Sequence, residues 1–571
     1  MNIALLQLNP LVGDLRGNAE LVLEAVRQAA QRGADLCITP EMVLTGYPAR
    51  DLLLYEAFIR KCDQVAQDLA RAIHDEMPDG PALLLGSVAF AGSRGCAENN
   101  GDSALSAPGK PLHNALLLLR NGRVERVFGK TLLPAYDVFD EERYFEPFPE
   151  PGVFDLNGTR IGVSICEDIW NDKEFWQAQN YAVDPVDALM RQNPDILVNA
   201  SASPFCVGKQ AVREQMLSSI AARRGVPLVY VNQCGGNDEL IFDGRSSVFA
   251  ADGTLTARAC AFENDLLCVD VAADKNAPAP APAQAGSIAD DDFSAESEIW
   301  RALVTGTRDY VRKSGFSKAV VGLSGGIDSA LTAAVAAHAL GASNVTGVLM
   351  PSPYSSQGSL DDAYALVNNL GIQSFTLPIA PLMQGFEQVL AEPFAGRDPD
   401  VTEENIQSRI RGNLLMAMSN KHGSLLLTTG NKSELSVGYC TIYGDMCGAL
   451  GVIADVPKTM VFSLCRWLNS TMGPHIPEAT ISKPPSAELR PDQKDQDSLP
   501  DYDTLDAVLH LFIEKKQSRD EIVAAGHAPQ IVDRVLGLVK RAEFKRRQAP
   551  PGLKTTSRAF GTGWRMPLAC K

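Results

Sequence analysis

Residues 274–292 read DKNAPAPAPAQAGSIADDD, and this run limits the possible folds more than any other feature of the chain. Alternating prolines remove backbone donors and favour an extended path, so neither a long helix nor a paired strand crosses it. The 571 residues are thereby split into two folding problems, 1–274 and 293–571, with 275–292 as the connector. Each part is long enough to bury its own core. With 45% hydrophobic and 21% charged residues, the chain belongs with globular rather than disordered proteins.

Against 52 basic residues stand 69 acidic ones, a net charge of −17 that disfavours broad adhesion to nucleic acid or an anionic membrane. No apolar run approaches the roughly 18 residues of a membrane helix, and the opening MNIALLQLNPLVGD lacks the basic start of a secretory signal. A cytoplasmic protein is expected. The 12 cysteines include no CxxC pair, which argues against zinc sites and disulfide frameworks.

In the first part, short apolar runs at 3–8, 36–38, 82–88, 114–119, 123–128, 160–165, 195–198 and 227–231 predict strands. Leu21, Val22, Ala25, Val26 and Ala29 share one helical face, and Asn121-Gly122 and Asp252-Gly253 predict hairpins. Layered sheets with helices outside are expected. In the second part strands alternate with helices from residue 319 onward, which predicts a doubly wound parallel α/β sheet with ligands at the strand carboxyl ends. The polar, proline-broken stretch 488–503 is either a lid over that site or a solvated loop.

Gly322, Leu323, Ser324, Gly325, Gly326, Ile327, Asp328 and Ser329 lie between an apolar strand and a strong helix. Glycines let the backbone curl until its amides converge on an anion at the helix start; Ser324 and Ser329 add hydroxyls, and Asp328 is suited to Mg²⁺ beside phosphate oxygens. The GKS or GKT ending of a Walker loop is absent, which disfavours an ordinary NTPase. SGGIDS resembles the signature of the N-type ATP pyrophosphatases, which cleave ATP between the α and β phosphates. That resemblance implies transfer of AMP to an acceptor oxygen, followed by attack of ammonia.

Cys166 ends the strand-like RIGVSIC, but a thiol needs a base, and the first part holds only His74 and His113, neither in a protease-like motif. Glu41 and Lys130 stand out instead, each after a strand. Singly, each reads as an ordinary core or surface residue. Together they resemble the Glu, Lys, Cys triad of the nitrilase superfamily, over about residues 1–270. The resemblance implies an αββα sandwich with Glu41 as general base, Lys130 as oxyanion stabiliser and Cys166 as nucleophile. It also implies that Glu142 is the accessory glutamate, and that Tyr136, Ser203 and Lys209 hold glutamine.

The two parts in this order resemble the glutamine-dependent NAD⁺ synthetases, in which ammonia freed from L-glutamine displaces AMP from adenylated deamido-NAD⁺. By that resemblance Thr429, Lys458 and Ser486 join the glycine loop in holding ATP, and Asn405, Arg409, Glu434 and Lys545 face deamido-NAD⁺. Asp328 and Glu434 would share Mg²⁺, and the family assembles as homo-oligomers. Lys545 also reads as part of a basic helix end. Other amidotransferases, such as GMP synthetases, rely on a Cys, His, Glu triad that this chain does not show. A third reading makes one part a regulatory module without chemistry; the intact Cys166 and SGGIDS count against it.

Overall fold

The structure, a computed structural model, describes residues 1–91, 111–178, 180–272, 288–491 and 493–569. Residues 273–287, most of the Ala/Pro-rich connector, lie outside the described residues. Two units result: Met1–Asn237 with Ile241–Phe293, and Asp238–Leu240 with Ser294–Lys571.

The first unit opens with strand β1 (Asn2–Gln7) and helix α1 (Leu15–Gln31), followed by β2 (Leu36–Ile38), α2 (Glu56–Glu76), β3 (Ala82–Phe90), β4 (Leu112–Arg120) and β5 (Arg123–Gly129). Then come β6 (Gly152–Leu156), β7 (Thr159–Ile165), α3 (Pro185–Met190), β8 (Ile196–Ser201), α4 (Lys209–Arg224) and β9 (Leu228–Asn232). The series ends with β10 (Cys234–Asn237), β11 (Leu240–Asp243), β12 (Ser247–Phe249), β13 (Leu255–Arg258) and β14 (Asp265–Asp270). One six-stranded sheet has the order β14-β1-β2-β3-β4-β5, and a second the order β13-β12-β9-β8-β7-β6.

The sheets pack face to face through one apolar core that joins Ile3, Leu5, Leu84 and Leu116 of the first to Ile161, Val163, Val198 and Val231 of the second. Helix α1 starts where the Asp14 carboxylate accepts from Gly17 N, and it buries Val22, Ala25, Val26 and Ala29 at the expected spacing. Met216, Leu217 and Ile220 of α4 cover the outer face of the second sheet against Leu197, Leu228 and Tyr230. This is the αββα sandwich. Asn121 and Gly122, with φ of 55° and 74°, make the left-handed pair that the β4–β5 hairpin requires. Because β7, β8 and β9 are parallel and buried on both faces, they read as continuous apolar runs rather than as alternation.

The second unit holds a five-stranded, wholly parallel sheet built from β15 (Ala319–Leu323), β16 (Val345–Leu349), β17 (Gln373–Thr376), β18 (Leu425–Thr428) and β19 (Leu450–Gly451). Its order, β17-β16-β15-β18-β19, reverses direction at β15, so the carboxyl end of β15 is the topological switch point. Helices α5 (Ala295–Lys313), α6 (Ile327–Leu340), α7 (Gln357–Leu370), α8 (Ala380–Leu390), α9 (Val401–His422), α10 (Lys432–Val437) and α11 (Lys458–Met472) surround it. Twelve of the 14 residues of α6 are buried. Among the described residues, no helix is long and apolar enough to cross a membrane.

Candidate active sites

In the first unit, Glu41, Lys130 and Cys166 follow the ends of β2, β5 and β7. Glu41 and Lys130 meet in the interior: Lys130 Nζ donates to Glu41 Oε1 at 2.7 Å, and both side chains are fully buried. Glu41 Oε1 also accepts from Asn114 Nδ2 at 2.7 Å, and its Oε2 accepts from Ala202 N at 2.9 Å. Cys166 is buried with φ of 43°, a left-handed turn that directs the chain from β7 into a short 3₁₀ turn. Burial pushes its thiol well above the usual range, and the Glu41 charge adds to this while Lys130 opposes it. The thiol is thus protonated at rest and needs a base at the moment of attack.

The structure places Glu141, not Glu142, beside Lys130: Glu141 Oε1 accepts from Lys130 Nζ at 2.8 Å and from Tyr47 OH at 2.9 Å, whereas Glu142, the residue expected there, is exposed. The 3₁₀ turn Glu141–Arg143 turns only the first of the two adjacent glutamates inward. Two buried carboxylates therefore share one ammonium. Burial raises Glu141 to about 7 against the pull of Lys130, with the Glu41 charge pushing the same way as burial.

Two further residues escaped the motif reading. The Asp168 carboxylate accepts from the amides of Thr131, Leu132 and Ile165 at 3.0, 2.8 and 3.0 Å, pinning the backbone beside Lys130 to the backbone beside Cys166. Buried Glu167 accepts from Tyr136 OH at 3.0 Å and Tyr181 OH at 3.2 Å, so Tyr136 is gathered around a carboxylate adjacent in sequence to Cys166. Lys209 Nζ donates to Ser203 Oγ at 2.8 Å and lies 5.3 Å from the centre of the Trp170 ring. His113 bonds the Glu146 carbonyl, 2.7 Å away, and its ring meets Phe148 edge-on.

In the second unit the glycine loop leaves β15 at the switch point, and a cavity of about 310 Å³ opens beside it. Gly322, Leu323, Ser324, Gly326, Ile327, Asp328, Ser329, Thr429, Glu434, Lys458 and Ser486 line this cavity. Gly325 has φ of 77°, and a Cβ there would stand 2.1 Å from the Ser359 carbonyl oxygen, so only glycine fits. Gly326 caps α6, placing the positive helix start against the cavity. Lys458 Nζ sits between two carboxylates, 2.5 Å from Asp328 Oδ2 and 3.2 Å from Glu434 Oε1, while Asn431 Nδ2 holds Asp328 Oδ1 at 2.9 Å. Burial raises Glu434 to about 8, Lys458 opposes the rise, and the Asp328 charge adds to it.

Asn405, Arg409 and Lys545 do not line this cavity. They hold the segment 438–442, of which Tyr439 and Cys440 line it. Asn405 Oδ1 accepts from Thr441 Oγ1 at 2.9 Å, Arg409 Nε donates to the Ile442 carbonyl at 3.2 Å, and Lys545 Nζ donates to the Gly438 and Cys440 carbonyls at 2.8 and 2.7 Å. The stretch 488–503 is anchored rather than freely solvated. Glu488 accepts from Ser356 Oγ at 2.9 Å and Ser359 Oγ at 2.7 Å, and the Leu489 carbonyl accepts from Gln407 Nε2 at 2.9 Å.

A thiol site without histidine on an αββα sandwich, and a glycine loop at a parallel-sheet switch point, define a two-part enzyme of amide hydrolysis and nucleotide chemistry. Residues 2–280 match the carbon-nitrogen hydrolase family model, and 299–549 the NAD synthase model. The glutamine-dependent NAD(+) synthetase of Synechocystis sp. is 49% identical over 569 residues, covering 99% of this chain and 98% of its own. That of Thermotoga maritima is 42% identical, with coverages of 100% and 98%. The solved glutamine-dependent NAD+ synthetase of Acinetobacter baumannii, in complex with ADP, superposes with a TM-score of 0.74 at 39% identity, covering 99% of this chain and 98% of its own. The chain belongs to the glutamine-dependent NAD(+) synthetase family, and is a ligase with a glutaminase part and an NAD synthase part.

Proposed function

We propose that the chain makes NAD⁺ from deamido-NAD⁺, ATP and L-glutamine, releasing AMP, pyrophosphate and glutamate, with residues 1–274 as the glutaminase and 293–571 as the synthetase. The observation that carries this reading is the buried Glu41–Lys130 pair beside Cys166 in a chain that also holds an intact glycine loop with Asp328.

As Cys166 Sγ bonds to the glutamine amide carbon, Glu41 takes the thiol proton and Lys130 stabilises the charge developing on the amide oxygen. Glu41 then hands the proton to the departing nitrogen, and the thioester is opened by a water that Glu41 deprotonates. Ser203 and Lys209 hold the α-amino and α-carboxylate groups, with Tyr136 beside them. In the synthetase, the loop amides and the Ser324 and Ser329 hydroxyls hold the pyrophosphate of ATP, joined by Thr429, Ser486 and Lys458. The nicotinate carboxylate of deamido-NAD⁺ becomes the adenylate, and ammonia displaces AMP. Glu434 serves the deamido-NAD⁺ side, and Asn405, Arg409 and Lys545 act there through the 438–442 segment that they hold.

Asp328 and Glu434 offer the hard oxygen donors that Mg²⁺ takes with phosphate oxygens and water, and they fit it once Lys458 turns from them toward phosphate. Magnesium there would neutralise the phosphate charge. A homo-oligomer is part of the proposal: α8 buries none of its residues and exposes Leu382, Phe386 and Val389, an apolar face suited to a second copy. On this reading the chain works in the cytoplasm, the compartment that supplies ATP and glutamine. The test is incubation with ATP, Mg²⁺, glutamine and a panel of carboxylate acceptors. Amide, AMP and pyrophosphate are expected with deamido-NAD⁺; turnover of another acceptor alone overturns the assignment.

A further inference from the structure

The connector does not simply leave the first unit. Ile288 bridges to Arg258, Ala289 N donates to the Arg258 carbonyl at 2.9 Å, and the Phe293 ring lies 4.9 Å from the Arg245 guanidinium and 5.0 Å from that of Arg258. Between these contacts, Asp291 sends its carboxylate into the interior. Arg245 meets it with two donors, Nε at 2.7 Å and Nη2 at 3.1 Å, and the two side chains are 0% and 2% exposed. A tether alone would need no buried charge.

The pairing continues inward. Arg245 Nη1 lies 3.4 Å from Asp243 Oδ2, and Asp243 also accepts from Arg213 at 3.1 and 3.2 Å and from Asn232 Nδ2 at 3.3 Å. Asn232 Oδ1 in turn accepts from Ser203 N at 2.9 Å, and Ser203 Oγ receives Lys209 Nζ. We infer that Asp291 is a positioning residue for the glutamine pocket, acting through Arg245, Asp243 and Asn232 on Ser203, and through Arg213 on Lys209. This rests on the reading of Ser203 and Lys209 as glutamine ligands.

Asp243 is shared by Arg213 and Arg245, and Arg245 is also held by Asp291. Without Asp291, Arg245 pulls harder on Asp243, which loosens the hold of Asp243 on Asn232 and on Arg213, the guanidinium that faces Lys209. Lys209 faces Arg213 on its own helix, Asp243 from β11, Cys166 and Glu167 beyond β7, and Cys206 in the preceding loop. Burial already draws it down to about 8, with Arg213 pulling the same way, so it sheds charge as the pH passes that value.

The test uses the full chain and measures glutamate release against glutamine concentration from neutral to alkaline pH. D291N is expected to raise the glutamine KM about three- to thirtyfold, the span of coupling through a packed network. It should leave kcat and ammonium-supported synthesis unchanged, and the pH above which KM climbs should fall below that of the parent chain. A purely structural role would not move that pH. An unchanged KM in D291N, where K209A raises it, overturns the inference alone. An unchanged KM in K209A removes the glutamine reading and the inference with it. Should D291N fail to fold, F293A, which frees the same segment but keeps the carboxylate, is expected to raise the KM in the same direction; no rise overturns the inference.

Discussion

Replacing Glu141 or Glu142 by glutamine separates two neighbouring residues that the sequence does not distinguish. Glu141 accepts from Lys130 and Tyr47 through one oxygen and faces Asn114 Nδ2 at 3.4 Å with the other. Glutamine keeps the first acceptor but loses the charge, so a charge-assisted bond of about 1.5–3 kcal/mol becomes a neutral one of about 1 kcal/mol. If that loss of about 0.5–2 kcal/mol falls on the transition state, where Lys130 must face the new oxyanion, kcat for glutamine drops roughly 2- to 30-fold. E142Q alters an exposed side chain and should stay within about twofold. The pH dependence has a definite sign. Glu141 is held up at about 7, so below that pH the parent chain already carries a neutral group there, and the E141Q deficit shrinks; above it the deficit is full. Glutamate release at fixed saturating glutamine is the assay, with ammonium-supported synthesis as the internal control. A deficit in E142Q but not E141Q, or an E141Q deficit independent of pH, refutes the reasoning.

Cys166→Ala should abolish glutamine-supported synthesis and spare synthesis from ammonium; loss of both would sink the two-site division. Asp328→Ala should stop pyrophosphate release with either nitrogen source, so normal ammonium turnover in that variant removes Asp328 from the nucleotide site. Gly325→Ala places a Cβ 2.1 Å from the Ser359 carbonyl at a φ of 77°, while Gly315→Ala, at φ of 83°, meets nothing within 4 Å. Gly315→Ala bears only the left-handed strain of about 1–2 kcal/mol. Gly325→Ala should therefore melt at a clearly lower temperature than Gly315→Ala and lose ATP-dependent turnover; equal melting curves would count against the tight loop.

The second unit was the more legible of the two because its decisive feature is local: strand, glycine turn and helix are contiguous in 319–340. The sandwich was legible in class, through its short apolar runs and hairpin turns. Its site depends on three strand ends that are far apart in sequence, and resemblance rather than pattern linked Glu41, Lys130 and Cys166. Nothing in DEER distinguishes Glu141 from Glu142, since the single 3₁₀ turn there has no apolar periodicity to set its phase. Glu167 and Asp168 were hidden for a related reason: a carboxylate next to a nucleophile looks solvated until tyrosines and amides are seen around it. Asn405, Arg409 and Lys545 belong to elements whose convergence on residues 438–442 is set by tertiary packing alone.

The burial of α6 on nearly every side determines which parts of the nucleotide site can move. A helix locked between a sheet and its neighbours opens only with the whole unit, so its amides should exchange with solvent among the slowest in residues 294–571. The glycine loop at its start is therefore a fixed seat. Entry of ATP and escape of pyrophosphate are therefore expected to use the elements facing that seat, among them the stretch around Glu488, which is tied to Ser356 and Ser359 by side-chain bonds.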